Sequence, residues 1–96
     1  MFTHIVFFKL KEANKENVNF VKERLLSLEG NIPQLRYIEV GEDVIRSERS
    51  FDVSLITRFD NKEDYEEYAI CKYHVEEVIN KIKPYLQESK AMDYFN

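Results

Sequence analysis

Tryptophan is absent from this chain of 96 residues; cysteine appears once, and glycine, proline and histidine twice each. One cysteine cannot build an internal disulfide framework, so the fold has to rest on its apolar core. Linkers, repeats and low-complexity tracts are missing too, which leaves a single domain over residues 1–96. No apolar run approaches the ~20 residues that a membrane-spanning helix needs. The N-terminus alternates apolar and polar residues and carries Lys9, the pattern of a strand and not of a signal peptide. Nor is there a basic excess: 14 Lys and Arg stand against 18 Asp and Glu, for a formal net charge of −4. Cations interleaved with acids make solvated faces, whereas a protein that follows a phosphate backbone needs a basic stripe. Nucleic acid and membrane are therefore excluded as partners, and the expected location is the cytoplasm.

What the chain does have is 44% hydrophobic residues, with seven Phe and six Tyr among them, rings suited to packing on a sheet. Phe2 to Leu10 reads as a strand. Phe2, His4, Val6, Phe8 and Leu10 share one face, and Thr3, Ile5, Phe7 and Lys9 the other. Both faces are apolar enough to place this strand in the middle of a covered sheet. Asn14 can cap a helix from Lys15 to Glu29, whose Val18, Val21, Leu25 and Leu28 form one buried stripe ahead of a terminating Gly30. After Pro33, Leu35 to Val44 reads as a second strand with a bend at Gly41, and Ile45 to Ser50 as a loop. Phe51 to Phe59 alternates as a half-buried strand, with Asp52, Ser54, Ile56 and Arg58 on its second face. Asp60 and Glu63 match a capping box that opens a tyrosine-rich helix, and Pro84 ends the following helical stretch near Ile82. A short last strand, Ala91 to Phe95, is expected.

Strand, helix, two strands, a helix pair and a strand make the order of a ferredoxin-like α+β fold, with a four-stranded antiparallel sheet and helices on one face. The uncovered face would leave Ile5, Phe7 and Ile56 in water. A sheet-against-sheet homodimer solves this economically, with Asp52, Ser54 and Arg58 making the interface partly polar.

Thr3-His4-Ile5-Val6-Phe7-Phe8-Lys9-Leu10, Pro33, Gly41-Glu42-Asp43-Val44, the tyrosine-rich helix, His74-Val75 and Met92-Asp93-Tyr94 together give the chain its signature from Phe2 to Phe95. In order and spacing they resemble the stress-responsive A/B barrel (Dabb) family. The resemblance implies a dimeric α+β barrel, and a family in which most members have no assigned reaction. A plant member closes a linear polyketide by an aldol-type condensation, and its functional residues correspond to Tyr68, His74, His4 and Asp93. Where family members often carry a His-Pro pair ahead of this histidine, the present chain has Cys71-Lys72-Tyr73.

That chemistry needs a base to take a proton from carbon beside a carbonyl, and a donor to steady the oxyanion. His74 suits the first role and Tyr68 the second. An unbroken helix would set them about 120° apart, so they converge only if the helix bends or restarts between Ala69 and Tyr73. His4 and Asp93 lie where the first strand meets the last, and the carboxylate can fix the imidazole tautomer. A small-molecule cavity between sheet and helices is expected, lined by His4, Val6, Phe8, Leu55, Tyr68 and His74. Glu67, Cys71, His74 and Glu77 also follow a helical row, but a lone cysteine without a second soft ligand is a poor zinc site, and Cys71 reads as a small buried hydrophobe. No metal and no cofactor is expected. Two further readings stand beside this one: a non-enzymatic dimeric stress-associated protein whose aromatics fill the cavity, and a cofactor-free monooxygenase on the same barrel.

Overall fold

The computed structural model describes residues 1–96. β1 (Phe2–Leu10) is central, flanked by β3 (Val53–Phe59) and β4 (Leu86–Phe95), with β2 (Tyr37–Glu42) outside β3. All neighbours are antiparallel, which gives the order β2-β3-β1-β4. Phe2, Phe8 and Leu10 of β1 are buried beside Val53, Leu55, Thr57 and Phe59 of β3, so the alternation in sequence becomes the helix-facing side of the sheet.

Helix α1 (Lys15–Leu26) starts where the Asn14 side chain accepts the Asn17 amide at 2.8 Å, as its sequence position predicts. Its regular part stops short of Glu29, because the Leu28 and Glu29 amides close tighter three-residue turns onto Leu25 and Leu26. Gly30 then takes φ +83°, a conformation that a side chain would strain. α2 (Lys62–Ile70) is capped by Asn61, whose side chain accepts the Asp64 amide at 2.8 Å, and not by the expected Asp60–Glu63 box. The Asp60 carboxylate is engaged elsewhere, 3.2 Å from Arg36 Nε.

α2 ends at Cys71, which is extended at φ −68° and ψ 150°. The chain then restarts as α3 (residues 73–82), a wide-turned π-helical stretch Tyr73–Ile79 followed by a single α turn Asn80–Ile82. A 3-10 turn at Lys83–Tyr85 holds Pro84 and leads into β4. β4 begins at Leu86, not Ala91; its first half is solvent-exposed edge strand and lacks the apolar alternation that marks a covered one. Gly41 makes no bend. It sits in register opposite Ser54, and a Cβ there would fall 2.8 Å from Ser54 Oγ. The one irregularity of register lies between Lys9 and Leu10 on the β4 side.

A single cluster of 14 buried side chains from all three helices, the segment after α1 and the sheet fills the interior. Asp52 is buried too, beside a hollow that it lines with Phe7 and Ser54 of the outer face. At 1% exposure it precedes β3 and accepts the Leu10 amide at 2.7 Å. Arg46 Nη2 lies 2.9 Å from the other Asp52 oxygen, in charge contact but off the hydrogen-bonding direction. No helix is long and apolar enough to cross a membrane.

Candidate functional site

His4 and Asp93 are directly opposite each other in the β1–β4 register, and His4 Nδ1 hydrogen-bonds Asp93 Oδ1. The imidazole is mostly covered at 13% exposure, while the carboxylate is 39% exposed, so the pair opens toward solvent along the sheet edge. Above His4 lies the Tyr65 ring from α2, at 4.8 Å between centroids. Tyr65 and Tyr68 stand three residues apart on one helical face and bring their rings within 6.1 Å.

Tyr68 packs against His74 at 4.2 Å and 37°. The contact exists because the helix breaks at Cys71. An intact helix would have turned the two rings about 120° apart, and the extended residue resets the phase before α3 begins. His74 Nδ1 stands 3.0 Å from the Ala69 carbonyl, to which it donates. That bond places the proton on Nδ1 and leaves a lone pair at Nε2. Burial lowers the His74 pKa below the ordinary histidine value, the Ala69 carbonyl opposes the shift, and His4 adds to it. Burial, with Tyr65 and Cys71 behind it, raises the Tyr68 phenol well above its ordinary range, so its hydroxyl keeps its proton. Tyr65 is also raised, by burial first and then by Asp93 and Glu66. Four rings thus run His4, Tyr65, Tyr68, His74 between sheet and helices.

The expected chamber is not there. Phe8, Leu55 and Tyr68, at 4%, 3% and 1% exposure, are packed into the core. None of the four surface hollows is lined by any of the six residues expected to surround a cavity. The aromatic side chains close that space, with the Phe59 ring packed at a tilt against Tyr68, 5.1 Å between centroids. His4, Val6 and His74 stay half-buried, and Ala91 and Asp93 of β4 are exposed. α1 lies over β2 and β3 and α2 over β3. The accessible part of the helix-facing side is therefore a short strip at His4 and Val6 of β1 and the paired Asp93 and Ala91 of β4, at the His4 end of the four rings. Tyr65 was missed in the sequence; its three-residue spacing from Tyr68 was the available signal. The metal-like row of Glu67, Cys71, His74 and Glu77 is broken by the extended Cys71, and no group of three His, Cys, Asp or Glu side chains comes together.

A four-stranded antiparallel sheet with helices on one face defines a ferredoxin-like α+β protein. More particularly, the chain belongs to the stress responsive A/B barrel domain (Dabb) family, whose family model matches residues 2–96. A dimeric protein of unknown function with a ferredoxin-like fold from Bacteroides fragilis is 31% identical, with a TM-score of 0.83, covering 99% of this chain and 95% of that one. A dimeric ferredoxin-like protein of unknown function from Thermobifida fusca superposes with a TM-score of 0.86 at 21% identity, over 99% of this chain and 90% of its own. The hydroxynitrile lyase of Passiflora edulis reaches 0.84 at 16% identity, over 99% of this chain and 93% of the lyase. At 21% and 16% identity the likeness is one of fold. No curated protein matches the sequence.

Proposed function

We propose that the chain forms a homodimer and that each protomer binds a small, partly apolar molecule on the strip over β1 and β4, reaching along the four rings to His74. The observation that carries this is the Nδ1-to-Ala69 bond, which leaves Nε2 of a lowered-pKa imidazole free as a base. In this chemistry Nε2 takes a proton from carbon next to a carbonyl, and the Tyr68 hydroxyl donates to the enolate oxygen. The enolate carbon attacks a second carbonyl of the same molecule, a C–C bond forms, and the new alkoxide recovers the proton from His74. His4 and Asp93 support the site from the sheet. The hydroxynitrile lyase has the same fold, so a lyase can be built on it, which supports an enzymatic reading without assigning a substrate.

The test is deuterium exchange at the carbon between the carbonyls of a β-diketone panel, followed by NMR. His74→Ala should slow exchange by about a hundredfold or more, the usual scale of general-base catalysis. Tyr68→Phe should slow it without abolishing ligand binding. Exchange unchanged in His74→Ala removes the catalytic role.

A second reading has its own observation. The interior is filled by Phe8, Phe59 and Tyr68, so the protein would act as a dimeric, non-enzymatic stress-associated scaffold. Native mass spectrometry separates the two: a co-purified small molecule favours the first, bare protein together with absent exchange the second.

A further inference from the structure

The outer face of the sheet contains an unmatched cation and an unmatched acid. Strand register places Tyr37, Glu39 and Gly41 of β2, Ser54, Ile56 and Arg58 of β3, and Thr3, Ile5 and Phe7 of β1 on that face. Arg58 is half-buried over the Tyr37 ring at 4.7 Å, and its Nε is a buried donor with no acceptor in the chain. A guanidinium beside apolar side chains is costly to leave unpaired, and the cost rises when a second surface excludes the remaining water. The outward-facing carboxylates of the strands are Glu39 and Glu88. Glu88 is already near Lys90, at 4.0 Å. Glu39 is exposed and has no cationic partner; its one side-chain hydrogen bond comes from the Tyr37 hydroxyl, which donates to it at 2.5 Å.

In an isologous contact each protomer presents the same face, so an unmatched cation and acid on that face are complementary to a second copy of themselves. We propose that Arg58 donates to Glu39 of the partner subunit across the twofold axis, once in each direction, and that this pair sets the register of the sheet-to-sheet dimer. The inference rests on the homodimer reading above and adds the residues that select it. Ile5, Phe7 and Ile56 supply apolar area but no direction. A charge pair penalises every arrangement that leaves it unmet.

Sedimentation equilibrium on single and mixed variants tests this. Arg58→Glu places two acids opposite each other twice in its own dimer, and Glu39→Arg does the same with cations. Each alone should raise the dissociation constant by about a hundredfold or more. An equal mixture of the two should recover dimers, because the heterodimer restores both pairs. A pair formed within one chain would not be rescued by mixing. If the mixture stays monomeric, or if either variant dimerises as well as the wild type, the charge pair is wrong while the dimer stands. A monomeric wild type overturns the dimer itself. Should Arg58→Glu not fold, Arg58→Gln and Glu39→Gln replace it. Their effects should be strongly non-additive in the double variant, and simple additivity refutes the pair.

Discussion

Asp52 is 1% exposed, and one of its oxygens takes the Leu10 amide at 2.7 Å where β1 ends. Asp52→Ala would strip a buried amide of its acceptor and take away the nearer of the two acids beside Arg46, leaving Asp43 at 3.6 Å. The expected loss is about 2–4 kcal/mol, the scale of an unmet buried donor plus a lost charge contact. It should appear as a lower urea midpoint with an unchanged slope. His74 makes a second prediction at this scale. Its folded pKa lies below the 6.5 of an ordinary histidine, mainly through burial, so the unfolded chain binds the proton more readily. The stability this neutral imidazole contributes is complete above pH 6.5 and is lost as pH falls from there through the lower folded value. Urea unfolding at pH 7.5 and 5.5 should therefore show a larger acid loss for wild type than for His74→Gln. Equal losses would mean that His74 titrates alike in the folded and unfolded chains.

At the scale of elements, the break at Cys71 makes the site possible. No glycine or proline announces it, and hydrophobic periodicity alone runs on through it, so the meeting of Tyr68 with His74 could be read only as a condition. Asn14 and Gly30 were legible because each is alone at its helix end. Asp60 misled because Asn61 beside it caps equally well and Arg36 had already drawn the aspartate away. Residues 87–90 were illegible as strand because an exposed edge carries no apolar alternation. Lys72 tests the break directly. Its φ of −57° suits proline, the preceding Cys71 is extended, and as the first residue of the restart its amide has no helical carbonyl behind it. Lys72→Pro should thus stabilise the protein by about 0.4–1 kcal/mol, by narrowing the unfolded ensemble. A thermal melt shows it as a rise in Tm with the His74 environment unchanged by NMR; a fall would mean that the restart does not tolerate a fixed φ.

For the whole molecule the decisive quantity is the apolar area left on the far side of the sheet. Phe7 is 45% exposed and Met92 62%, with Ile5 and Ile56 half-buried on the same face. Phe7 also walls a hollow of about 240 Å³ with Phe51 and Gly41, so the face has relief for a partner side chain to fill. Burying a phenylalanine is worth about 1.5–3 kcal/mol, and a twofold contact counts it twice. Phe7→Glu removes that gain and sets a carboxylate against the facing sheet. The dimer dissociation constant should rise by about a hundredfold or more. Because the side chain already meets solvent in the single chain, the variant monomer should keep its fold, with circular dichroism as the control. A wild type that sediments at one chain mass would remove the need for a second copy. A Phe7→Glu variant that stays dimeric at micromolar concentration would place the interface on another surface.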